Sequence, residues 1–167
     1  MQKSKCWIFY TVLVLSFISC DSNRVFDDYE SLSGEWDKDN TIEFKVTPPD
    51  STKAYNLYVN LRHTEAYKFS NLFLIVELNY PNGKTLKDTL NYKMANPDGS
   101  FLGIGFSDIK ENKLWYKGHE APFIFNESGE YSVSIQHAMR ENGKIDGVDK
   151  LEGIIDVGFR IEHSQTH

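Results

Sequence analysis

The chain is predicted to fold as a single all-β domain, an antiparallel β-sandwich with Greek-key or jelly-roll connections. Three observations predict it. Apolar and polar residues alternate with a period of two in segment after segment, the mark of strands with one face in a core and the other in water. Turn signals separate those segments, among them Pro48-Pro49-Asp50 and Tyr80-Pro81-Asn82-Gly83-Lys84. No segment carries a sustained helical period, and short strands divided by turns build a sandwich or barrel rather than an α/β fold. The aromatic content of 14%, with 9 Tyr and 11 Phe, suits pleated, half-buried surfaces.

Taken in order, Ile42, Phe44 and Val46 alternate with Glu43 and Lys45 in the first clear strand. Tyr55, Leu57, Val59 and Leu61 alternate with Asn56, Tyr58 and Asn60 in the second. Leu72, Leu74, Val76 and Leu78 make the third, opposed by Phe73, Ile75 and Glu77, and it runs into Asn82-Gly83, a pair that favours hairpin turns. The strand that must follow, with Leu86, Asp88, Leu90 and Tyr92 on one face, is less cleanly apolar, as at a sheet edge. Tyr131, Val133 and Ile135 alternate with serines and Gln136. A last strand over 151–161 sets Leu151, Ile155, Val157, Phe159 and Ile161 against Glu152, Asp156 and Arg160. About seven to nine strands are expected from this pattern.

The N-terminus reads as an export signal. Lys3 and Lys5 precede an apolar run from Trp7 to Ile18, and Ser19-Cys20 follows. That run is shorter than the ~20 residues needed to span ~30 Å of hydrocarbon as a helix. Phe17-Ile18-Ser19-Cys20 is similar to the bacterial lipobox, with Phe where Leu is usual. Cys20 is therefore the expected lipidation site, its thiol forming a thioether to diacylglycerol. Two or three acyl chains of the palmitate kind would then anchor the protein firmly. Cys6 falls inside the signal, so cleavage leaves Cys20 as the sole cysteine and no internal disulfide is possible. The expected organisation is a signal over 1–19, a lipid-anchored polar tether over 20–39, the sandwich over 40–162 and a polar tail over 163–167. Within the tether region Trp36 is expected to be buried, and a first strand or turn packed through Phe26 and Trp36 is the competing reading.

Removing the signal leaves 16 basic and 24 acidic residues, a formal charge of −8. That balance excludes the basic stripe on which nucleic-acid binding depends, and a polybasic membrane patch as well. His63, His119, His137, His163 and His167 stand in no ligand or catalytic frame, and no metal site or cofactor is expected. The chain has no nucleophile elbow and no phosphate-cradling loop, so it is not expected to be an enzyme. Phe106, Trp115 and Tyr116 lie in a stretch of mixed glycines, aromatics and charges whose composition is that of a recognition surface. The alternative is that Leu114 and Tyr116 belong to a further strand with Trp115 on its far face. Asp88-Thr89-Leu90 resembles an O-glycosylation site of exported Bacteroidetes proteins, which makes Thr89 a candidate.

These features combine with longer runs. Lys68-Phe69-Ser70-Asn71-Leu72-Phe73-Leu74, Asn79-Tyr80-Pro81-Asn82-Gly83-Lys84, Gly105 to Tyr116, Gly129-Glu130-Tyr131 and Ile135 to Arg140 are similar to the gliding-motility lipoprotein GldH family of Bacteroidetes. The resemblance implies a non-enzymatic cell-envelope lipoprotein needed for gliding motility, type IX protein secretion or both. It would act by contact with other, unidentified envelope proteins of that machinery, at the periplasmic side of the outer membrane. The resemblance supplies no catalytic residues, and only Cys20 carries over with a definite role. A lipid-anchored glycan-binding module, using the three aromatic rings, is the competing expectation.

Overall fold

In the computed structural model, which describes residues 23–105 and 108–164, the alternating segments pair as their periodicity demands. The strands among the described residues are β1 (Arg24–Ser31), β2 (Glu35–Asp37), β3 (Ile42–Val46), β4 (Tyr55–His63), β5 (Asn71–Asn79), β6 (Thr85–Lys93), β7 (Lys110–Lys117), β8 (Tyr131–His137), β9 (Lys150–Glu152) and β10 (Ile154–His163). Two four-stranded sheets run in the orders β1-β10-β4-β7 and β3-β8-β5-β6, and β2 pairs with β9 alone. All of these pairings are antiparallel. The pairs β1·β10, β3·β8, β4·β7 and β5·β6 are those of one long hairpin rolled into two layers, so this sandwich is a jelly roll.

Between the layers lies one core. Leu72, Leu74, Val76 and Leu78 of β5 are fully buried, and they face Leu57, Val59 and Leu61 of β4 with Val157, Phe159 and Ile161 of β10. The outward residues Phe73, Ile75 and Glu77 are only half-buried, as alternation requires. β6 closes its sheet as an edge strand, and its inward Leu86, Leu90 and Tyr92 remain half-buried. Between β5 and β6 the loop holds five residues, and Gly83 takes φ +84, a value open to glycine at no steric cost.

Three boundaries differ from expectation. Residues 24–37, assigned above to a tether over 20–39, form β1 and β2 of the domain. β1 pairs along its length with β10, Phe26 packs 6.2 Å from Phe159, and the fully buried Trp36 donates from Nε1 to the Asn40 carbonyl at 2.8 Å. The strand was hidden because a bulge between Arg24 and Phe26 breaks its period and its edge position leaves Asp28 and Glu30 in water. The last strand is broken at Gly153, which has φ +87 and would place a Cβ 2.3 Å from the Tyr67 nitrogen. β9 can therefore pair with β2 while β10 crosses into the larger sheet, and Ile154, rather than Ile155, enters the core. His163, assigned to the polar tail, is the final residue of β10, with its ring 5.3 Å from Tyr55. With β1, β2 and the split of the last segment, the strands outnumber the expected seven to nine.

Candidate functional site

The outer face of the β1-β10-β4-β7 sheet carries an interacting set of charged and aromatic side chains. Register sets them in rows across the four strands. Asp27, Arg160, Tyr58 and Trp115 form one row, Tyr29, Gly158, Asn60 and Lys113 the next, and Ser31, Asp156, Arg62 and Glu111 a third. Side chains interlock along and across these rows.

Gly158 is central to the middle row. A Cβ there would lie 2.7 Å from Tyr29 Cδ1, so only glycine lets the tyrosine ring cross over β10. The ring thus reaches β4, where Asn60 Nδ2 donates to the Tyr29 hydroxyl at 2.8 Å. The hydroxyl in turn donates to Glu111 Oε1 at 3.3 Å, and the Arg62 guanidinium sits 4.6 Å from the ring centroid. Burial first, then the nearby Glu111 and Asp27 carboxylates, push the Tyr29 hydroxyl up to about 12, so it stays a neutral donor.

Charges around this centre are paired. Arg62 Nε donates to Glu111 Oε2 at 2.9 Å, and its Nη1 lies 3.6 Å from Asp156. Arg160 donates to Asp27 at 3.0 Å and to Glu162 at 2.6 Å, while Lys113 holds both oxygens of Glu162 at 2.6 Å and lies 4.1 Å from the Tyr58 ring centroid. A hydrogen bond from Arg62 to Glu111 holds the guanidinium more firmly protonated than usual. Ser31 donates to Asp156 at 2.6 Å. These contacts make an interlocked, mixed-charge surface.

The expected site residues fall differently. Cys20 and Phe106 lie outside the described residues. Trp115 and Tyr116 are consecutive on β7 and so point to opposite faces. Trp115 is 39% exposed, its ring 4.4 Å from Tyr58 and 4.8 Å from His119. Tyr116 faces the core, where its hydroxyl donates to Asp88 Oδ2 at 3.1 Å. The further strand therefore exists, and a platform on which Trp115 and Tyr116 converge does not. Thr89 is exposed on β6, opposite Ile75. His63 and His137 are buried and structural: each donates from one ring nitrogen to a backbone carbonyl, of Thr64 and Trp36 respectively, both at 3.0 Å. Sequence reasoning missed Asp27, Tyr29, Asn60, Arg62 and Arg160. The signal that could have found them is Gly158 within an otherwise branched and aromatic strand, since such a glycine marks close approach.

No described helix is long and apolar enough to cross a membrane, and no group of three or more His, Cys, Asp and Glu among the described residues is placed to hold a metal ion. The described residues define a jelly-roll β-domain with a sheet face held by ion pairs and aromatic rings. The family model described as GldH lipoprotein matches residues 24–161, from the first residue of β1 almost to the end of β10. A gliding motility lipoprotein GldH homolog of Christiangramia forsetii is 54% identical over 160 residues, covering 96% of each chain. The gliding motility lipoprotein GldH of Flavobacterium johnsoniae is 54% identical over 154 residues, covering 90% of this chain and 94% of its own. The chain belongs to the GldH lipoprotein family. It is a lipoprotein of the cell envelope. Among solved structures, the VP2 subviral particle of infectious bursal disease virus aligns with a TM-score of 0.39 at 14% identity. The alignment covers 85% of this chain and 33% of that one.

Proposed function

We propose that the protein is held by lipid on Cys20 at the periplasmic side of the outer membrane. There it serves gliding motility, type IX secretion or both, by protein–protein contact through the open face of its β1-β10-β4-β7 sheet. The observation that carries this reading is identity of 54% with the named gliding motility lipoprotein over nine-tenths of both chains. Support for the face comes from its construction: seven charged side chains of both signs, fixed in place before any partner arrives, give geometric and electrostatic selectivity at little ordering cost. A glycan platform of three rings finds no such support, since Tyr116 faces the core.

The test is deletion of the gene followed by assays of type IX cargo export and colony spreading. Loss of either, restored by the intact gene, is the expected result, and unaffected export and spreading overturn the function. An Arg62→Glu copy present at normal level should fail to restore the phenotype. Full restoration by that copy removes the sheet face from the proposal.

A further inference from the structure

The chain between the lipid site and the fold is very short. Asn23 is already fixed to the domain, its carbonyl accepting from the His163 nitrogen at 2.9 Å, and β1 begins one residue later. Three peptide steps from Cys20 to Asn23 reach at most ~11 Å. The longest strands, with nine or ten residues, run about 30 Å. An anchor on Cys20 therefore cannot let the domain hang free or turn its far end to the bilayer.

The surface beside that exit has interfacial chemistry. Asn23 shares a hollow of about 470 Å³ with Tyr58, Trp115, His119, Glu162 and His163. Trp115 is 39% exposed there, and Ile124, on the adjoining loop that bridges to Tyr55 through Phe123, is 45% exposed. Trp and Tyr rings with one polar edge settle at the boundary between headgroups and acyl chains, and an exposed isoleucine adds apolar contact. The mature charge of −8 disfavours an anionic surface, so the partner that fits is a zwitterionic phospholipid surface.

We propose that this end of the jelly roll is seated on the membrane, with Trp115 and Ile124 at headgroup level and the loops around Trp36 turned away. The proposal rests on lipidation of Cys20. The orientation fixes which way the charged sheet face looks: it stands upright from the bilayer rather than lying on it.

Tryptophan quenching tests it on the acylated mature protein, purified from the envelope and reconstituted into zwitterionic vesicles whose acyl chains carry bromine. After signal removal two tryptophans remain, Trp115 and the fully buried Trp36. Brominated lipid should quench the Trp115 share of the emission, and Trp115→Phe should abolish the quenching. Protein shown by mass spectrometry to be acylated but not quenched overturns the seating and leaves the anchor standing. Quenching that persists in Trp115→Phe means Trp36 faces the lipid, which reverses the orientation and overturns it too. Protein without acyl chains defeats the anchor and the seating together.

Discussion

Tyr29 crosses the backbone of β10 at Gly158, the one position in its row where a side chain would block it. The crossing brings the tyrosine hydroxyl to Asn60, on a strand that β1 does not itself adjoin. Gly158→Ala should cost ~1–3 kcal/mol by forcing the ring away. Tyr29→Phe should cost ~1–2 kcal/mol, because Asn60 Nδ2 is then left in a buried site with only a 3.4 Å contact to Asp27. Urea unfolding of the two single variants and the double variant is the check. The two changes share one contact, so their costs should sum to more than the cost of the double.

The neighbouring rings on β7 should respond in opposite ways. Tyr116→Ala opens the core and leaves Asp88 without its hydroxyl donor, so a loss of ~3–5 kcal/mol is expected. Trp115→Phe should stay within about 1 kcal/mol, since the ring is on the outside and its place can be filled by another aromatic. Thermal unfolding distinguishes them, and similar losses would contradict the inward and outward assignment.

Acid should weaken the fold through two histidines. Burial, partly offset by hydrogen bonds to the Thr64 and Trp36 carbonyls, lowers the affinity of His63 and His137 for a proton below that of a free histidine. The unfolded chain then binds more protons than the folded one at pH values between the depressed value and about 6.5. The stability they confer is full above that window and falls as pH drops through it, by at most about 1.4 kcal/mol per pH unit for each histidine. Denaturant midpoints measured from pH 7.5 to pH 5 should fall, and His137→Asn should flatten the decline while lowering the midpoint at neutral pH.

Cys20→Ser should abolish acylation and release the protein into the soluble periplasmic fraction. Its melting temperature should match that of the acylated protein in detergent, because no disulfide is lost with the thiol. Membrane retention without acyl labelling would contradict the anchor.

Legibility followed burial. β3, β4, β5 and β8 stood out because one face of each is fully dry, and the turn at Asn82-Gly83 set the β5–β6 hairpin. β1 did not stand out, since an edge strand dries little surface and its bulge puts Val25 and Phe26 side by side. The charged face was illegible for another reason. Polar residues on the wet side of a strand look alike whether solvated or interlocked, and only register joins Asp27 to Arg160 across more than a hundred residues. Trp115 and Tyr116 were separable in principle, because adjacent residues of a regular strand point to opposite faces.

The position of β1 bears on how the protein would carry load. The strand starts four residues after the proposed lipid site and runs along the edge of its sheet, zipped to β10 through Ser31. A pull between the lipid and a partner on the sheet face or the far loops acts along β1, across hydrogen bonds that lie perpendicular to the strand. Those bonds resist in shear and must break together. The Asp27–Arg160 and Ser31–Asp156 contacts cross the same seam and add to it. A pull applied instead between Asn23 and His163, which sit at the same end, would peel the pair apart one bond at a time. Attachment through the N-terminus therefore gives this domain its mechanically stronger axis.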